Sequence, residues 1–273
     1  MSHEWYVTTT TTSGTAVSCI STVSALGPLR VDGVRVTPAQ RSLLAALVLH
    51  RRRGATVDDL VDAVWCDHAP ASATASVQNQ ISRLRRRLGQ ATIVFDANRY
   101  VLTSPTDVDR FESVGASARH PACALVPGAI EDALALWRGT PYDELSNSVD
   151  AQIERRRLES LQARLIERLA IEYLTAGRHD DATAVLEVRV GAEPLHERAW
   201  ELLIASEYLA GRRTTALAEF VELEGILSDR LDIHPSAPLR RLNMIVSTER
   251  PLDLTTLVAH QPPSGQRDER RLA

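Results

Sequence analysis

"SVQNQISRLRRRLG", residues 76–89, sets four arginines in one short amphipathic stretch of a 273-residue chain whose formal net charge is -4. At about 100° per residue, Val77, Ile81, Leu84 and Leu88 fall on a single stripe, the spacing of a helix buried along one side. Ser76, Asn79, Ser82, Arg83 and Arg86 then take the opposite face, with Gln78, Arg85 and Arg87 on the flanks. The stretch predicts a helix with amides and guanidiniums turned outward. Taken alone, it fits a solvated surface helix as well as a nucleic-acid reader.

The neighbouring residues narrow the choice. In "TPAQ", Thr37 is placed as an N-cap, Pro38 at the first helical position and Gln40 three residues after the cap, a capping box. Leu43, Leu44, Leu47 and Val48 share one face of that helix, and Gly54 can stop it after Arg51 to Arg53. "TVDDLVDAVW" repeats the logic, with Thr56 as cap, Asp59 three later, and Leu60, Val61, Val64 and Trp65 turned inward. The third helix is expected to start near Ser72 and end at Gly89. "TIVF" and "YVL", joined by Asp96-Ala97-Asn98-Arg99, read as a β-hairpin. Val17 to Val36 reads as a small antiparallel sheet with turns at Gly27-Pro28 and Asp32-Gly33, and residues 1–15 as a flexible leader.

Composition excludes several classes. With 44% hydrophobic and 24% charged residues the chain is expected to fold, and its length accommodates two domains. No apolar run approaches the roughly 18 residues of a membrane span. "MSHEWYVTTTTTSG" lacks a basic start followed by an apolar stretch, so a cytoplasmic location is expected. Cys19, Cys66 and Cys123 are too few and too far apart for a disulfide framework or a metal cluster, and neither metal nor cofactor is expected. All 31 basic residues are arginine, so no P-loop, Schiff-base or kinase-type lysine exists. The histidines show no paired metal-ligand spacing and no nucleophile elbow is present, so the chain is not expected to be an enzyme. Charge is uneven: residues 1–103 carry 11 Arg against 7 acidic residues, the remainder 20 against 28. The basic charge of the first third sits mostly at Arg51 to Arg53 and Arg83 to Arg87.

From about Asp109 the pattern is helical. "EYLTAGRHDDATAVL" and "EYLAGRRTTALAEF" place Gly177 and Gly211, and Ala182 and Ala216, at a spacing of 34, the period of a tetratricopeptide repeat. Ile166, Leu169, Ala170, Tyr173, Gly177, Ala182, Leu186 and Pro194 fit the first copy. Trp200, Leu203, Gly211, Ala216 and Phe220 continue it, with Tyr208 one place late and Ser228 in place of the proline.

Residues 39–89, "AQRSLLAALVLHRRRGATVDDLVDAVWCDHAPASATASVQNQISRLRRRLG", resemble the winged-helix DNA-binding domain of the Streptomyces antibiotic regulatory protein family, a branch of the response-regulator type of winged helix. The matching elements are Pro38 to Arg41, Leu60 to Trp65, Pro70 to Ser72 and Ile81 to Leu88. The chain departs at Asn98-Arg99-Tyr100, where the family has a Gly-Tyr step, and at Cys66, where a glycine commonly follows the tryptophan. "LWRGTPYDEL", "EPLHERAW" and "DIHPSAPLRRL" resemble the bacterial transcriptional activation domain of the same family. The fold class expected is mainly α: a winged helix-turn-helix over 16–104, then an all-α tetratricopeptide-like domain over 109–252. Residues 253–273 are expected to be a disordered tail, which makes this a short, two-domain member.

The resemblance implies a pathway-specific transcriptional activator of a secondary-metabolite (antibiotic) gene cluster. It would bind direct repeats in double-stranded promoter DNA, as a dimer, and recruit RNA polymerase through the sigma or alpha subunit. A winged helix lays its third helix in the major groove. Gln78 and Asn79 carry amides able to read adenine, Arg83 and Arg86 suit guanine or phosphate, Arg87 flanks them, and Ser82 allows close approach. Arg99, at the hairpin tip, is either a minor-groove contact or an exposed loop residue; Arg51 to Arg53 are a solvated turn or a phosphate clamp. Asp67 and His68, between the second and third helices, are the implied polymerase contact. The alternative is a repeat scaffold, binding a protein or small ligand, whose winged helix no longer reads DNA. Such a helix would drift toward acidic residues, and Ser72 to Leu88 contains none.

Overall fold

The computed structural model describes residues 22–118 and 127–259. The leader, the start of the first sheet at residues 16–21 and the last 14 residues of the tail lie outside the described residues. The chain divides into two compact units, Met1–Asp107 with Tyr142–Ser148, and Val108–Pro141 with Val149–Ala273.

In the first unit, β1 (Val23–Ser24) pairs antiparallel with β2 (Arg30–Val31), Val23 opposite Val31. Helices α1 (Pro38–Leu49), α2 (Val57–Trp65) and α3 (Ala73–Leu88) follow, then the hairpin β3 (Ile93–Asp96) and β4 (Arg99–Leu102). Among the described residues, the expected first sheet consists of these two short strands, joined through Gly27-Pro28. Both capping boxes form. Gln40 N donates to Thr37 Oγ1 at 3.3 Å while Thr37 N donates to Gln40 Oε1 at 3.1 Å. Asp59 N donates to Thr56 Oγ1 at 3.1 Å, and Thr56 N to Asp59 Oδ2 at 2.7 Å. Burial works to raise the Asp59 carboxyl, but the Thr56 bonds with nearby His50 and Arg53 outweigh it and hold it below the usual range. In the hairpin, Ala97 and Asn98 have φ of 46° and 64°, the left-handed pair that a two-residue turn matched to strand twist requires. Leu43, Leu44, Leu47, Leu60, Ile81, Leu84 and Ile93 fill the core. Of the α2 residues expected inward, Leu60 is buried, whereas Val61, Val64 and Trp65 are only half-buried.

One segment from beyond residue 109 packs with the first unit. Residues 142–148, which the sequence assigns to the second domain, complete the first unit. Tyr142 is fully buried; its N–H donates to Ala25 O at 3.2 Å, and its hydroxyl accepts from Arg51 at 3.4 Å. Glu144 Oε1 accepts from Leu29 N at 2.8 Å. The loop between β1 and β2 carries backbone polar groups that its own short strands leave unpaired; the Asp107 carboxylate accepts from Ala25 N and Leu26 N, and this segment supplies partners for Ala25 O and Leu29 N.

The second unit is helical: α4 (Asp107–Ser117), α5 (Pro127–Leu134), α6 (Val149–Thr175), α7 (His179–Ala192), α8 (Glu197–Leu209), α9 (Arg213–Leu231), α10 (Ala237–Ser247) and α11 (Leu254–Ala259). Successive helices from α6 to α9 pack on one another, as a helical repeat requires. Gly177 and Gly211 have φ of 72° and 81° and close the same turn in both copies. Arg178 N donates to Tyr173 O at 2.8 Å, and Arg212 N to Glu207 O at 2.9 Å. Ala182 and Ala216 are fully buried between helices. Glu207 holds the position that Tyr173 holds one period earlier; it is buried and answered by Arg212 at 2.6 Å, which also reaches Asp180. The expectation of disorder from residue 253 is corrected over 254–259: Leu257 is buried and its carbonyl accepts from Arg198, so an apolar anchor extends the order into α11.

Three substitutions test this packing. Tyr142→Ala should cost about 3–5 kcal/mol, as other buried aromatics do, and Val149→Ala, at a 68% exposed position, within about 0.5 kcal/mol; urea unfolding of the full chain measures both. Cys66 has φ 50° and ψ -130°, which strains a side-chain-bearing residue. Cys66→Gly should therefore raise stability by about 1 kcal/mol in the same assay.

Candidate nucleic-acid interface

One side of α3 is fixed by burial. Ala73, Val77, Ile81, Leu84 and Leu88 face the core. Gln40, already part of the α1 cap, donates from Nε2 to Gln80 Oε1 at 3.1 Å and ties α3 to α1. Gly89, at φ 106°, ends the helix.

With that side buried, Gln78, Asn79, Ser82, Arg83, Arg86 and Arg87 are all exposed, on one continuous surface of α3. Thr74 and Ala75 extend it toward the helix start; small and weakly polar, they gave no signal in the sequence. Ser76, expected on the outer face, is half-buried. Among the described residues Arg83, Arg86 and Arg87 make no hydrogen bond or ion pair, so their donors face solvent.

Arg85 differs from its neighbours. Its Nε donates to Ile93 O at 2.7 Å, and its guanidinium carbon lies 5.8 Å from the centroid of the Tyr100 ring. It binds α3 to the hairpin.

Arg99 also turns inward. It is half-buried and donates from Nη1 to Gly54 O at 3.2 Å, which leaves Ala97 and Asn98 as the exposed tip. Gly54, at φ 73°, permits this approach, because a Cβ there would lie 2.9 Å from Arg99 Cβ. Arg51 and Arg53 brace the end of α1: Arg51 donates to Val48 O and Tyr142, and Arg53 donates to His50 Nδ1 at 3.2 Å and lies 3.9 Å from Asp59. The connection after α2 is a 3-10 turn, Cys66–His68, with His68 exposed; the side chain of Asp67 lies outside the described part of the structure. Among the described residues no group of three or more His, Cys, Asp or Glu is placed to hold a metal, and no helix is long and apolar enough to cross a membrane.

Comparison with known proteins agrees with this geometry. Residues 32–105 match the model for the C-terminal domain of transcriptional regulatory proteins, and residues 106–246 the bacterial transcriptional activator domain. The chain belongs to the Streptomyces antibiotic regulatory protein family. It is 33% identical over 232 residues to the regulatory protein AfsR of Streptomyces griseus, covering 80% of this chain and 24% of that protein. It is 28% identical to the regulatory protein DnrI of Streptomyces peucetius, covering 81% and 89%. The solved structure of Mycobacterium tuberculosis EmbR, in complex with a low-affinity phosphopeptide, superposes with a TM-score of 0.73 at 29% identity, covering 88% of this chain and 69% of that one. This family member thus spans about a quarter of the length of the AfsR protein it matches.

If Arg85 joins α3 to the hairpin, Arg85→Met should cost about 2 kcal/mol, the worth of a charge-assisted bond and a cation–π contact. Arg83→Met should change stability by less than about 0.5 kcal/mol; thermal melts of the two variants give the comparison.

Proposed function

We propose that the chain is a sequence-specific DNA-binding transcriptional activator, acting in the cytoplasm. The first unit lays α3 in the major groove, and the helical second unit serves as the activation domain. The observation that carries this reading is the outward face of α3: six polar or cationic side chains without an acidic residue, on a unit of the family's DNA-binding type.

Each side chain has a separate job. Gln78 and Asn79 present amides that pair bidentately with adenine, whereas Arg83, Arg86 and Arg87 take guanine edges or phosphates. Ser82 keeps the centre of the face shallow. Membership of the family supports the finer reading: a pathway-specific regulator of a secondary-metabolite gene cluster, bound as a dimer to promoter direct repeats and recruiting RNA polymerase through its sigma or alpha subunit. His68 and Asp67, on the exposed turn after α2, are the proposed polymerase contact.

Selection of duplexes from a randomised pool by the full chain tests this. A recovered direct repeat supports it; a pool that stays random overturns sequence-specific binding. On the selected duplex, Asn79→Ala should lose about 1–3 kcal/mol and lose little on a scrambled one, because a missing bidentate pair removes discrimination. Arg86→Ala should weaken both and lower the salt slope by about one unit, since one fewer counterion is released.

A further inference from the structure

We propose that the hairpin meets DNA through Phe95, whose open ring face packs on deoxyribose in the minor groove, and not through Arg99. This rests on the DNA-binding reading above. Of the three phenylalanines, Phe111 is fully buried and Phe220 is 6% exposed, while Phe95 is 52% exposed. Strand pairing places Ile93, Phe95, Tyr100 and Leu102 on one face of the hairpin. Ile93, Tyr100 and Leu102 are buried there, and Phe95 overhangs the core edge. Its ring centroid is 4.8 Å from that of Tyr100 at a tilt of 52°, and Tyr100 in turn carries the Arg85 guanidinium of α3. Phe95 is held from behind and open in front, in a line that runs back to the helix proposed to enter the major groove.

The surroundings decide the kind of contact. Among the described residues of the hairpin no cation points from the tip: Arg99 is turned back to Gly54 O, and the exposed neighbour of Phe95 is Asp96. A phosphate there would meet a carboxylate, whereas the apolar edge of a sugar would meet an aromatic ring. Apolar side chains, phenylalanine among them, enter the minor groove in other proteins, there as wedges between base steps. Such a contact releases no counterion. A plainer role exists, in which Phe95 only pins the hairpin as the cross-strand partner of Tyr100, and the test separates the two.

The full chain is titrated with the duplex selected by wild type, and the complex is probed by hydroxyl-radical cleavage, which reads sugar exposure. Phe95→Ala should weaken binding about tenfold, the worth of burying half a phenylalanine ring, at an unchanged salt slope. At saturating protein below its melting temperature, it should lose protection of a few minor-groove sugars and keep the protections due to α3. Phe95→Leu should keep both sets, and Arg99→Ala should leave the salt slope unaltered. Wild-type affinity and protection in Phe95→Ala would overturn the proposal, as would a slope lowered by one unit in Arg99→Ala. If wild type selects no duplex, the DNA-binding reading fails first and takes this proposal with it.

Discussion

The rotation of α3 about its own axis governs the chemistry of the first unit. Val77, Ile81, Leu84 and Leu88 must be buried, and turning the helix by one residue would bring an amide or a guanidinium into the core without a partner. Burying such a group costs several kcal/mol. The inward stripe therefore chooses the outward face. Two polar contacts hold the setting: the Gln40–Gln80 bond to α1 and the bond from Arg85 to Ile93 O. Gln40 serves twice, since the side chain that closes the α1 capping box also anchors α3. The start of one helix and the orientation of another thus share one residue.

What was legible in the sequence was local. The stripe of α3, the boxes at Thr37 and Thr56 and the hairpin turning within Asp96–Arg99 each depend on residues within about one turn of one another. The repeat was legible because Gly177 and Gly211 end helices the same way, and only a residue tolerant of positive φ does so cheaply. Contacts distant in sequence were not legible. Glu144 meets Leu29 across 115 residues, and what demands it is an unpaired N–H that no periodicity displays. The roles of Arg85 and Arg99 were hidden for the same reason: which guanidinium turns inward depends on where the carbonyls of Ile93 and Gly54 come to lie. Cys66 was visible only as a departure from the family pattern, at a position whose backbone favours glycine.

Because every basic residue is arginine, residue type cannot mark a binding face here; a cluster of arginines without a neighbouring carboxylate can. In the second unit many guanidiniums are engaged: Arg157 with Glu154 and Glu112, Arg178 with Asp181, Arg189 with Glu193, Arg198 with Glu201, Arg212 with Glu207 and Asp180, and Arg213 with Glu249. The exposed ones among them, such as Arg178–Asp181, contribute little to stability individually. The consequence of the pairs is to neutralise those arginines, within a part of the chain that carries 28 acidic residues against 20 Arg. On α3 no carboxylate stands within the helix to perform that neutralisation, and Arg83, Arg86 and Arg87 stay open. A net charge of -4 is therefore compatible with the proposed DNA binding: a duplex responds to charge within about one Debye length, roughly 8–10 Å at ordinary salt. At that range it is the local cluster of unpaired arginines that counts, and three phosphate contacts would give a salt slope of roughly -2.7.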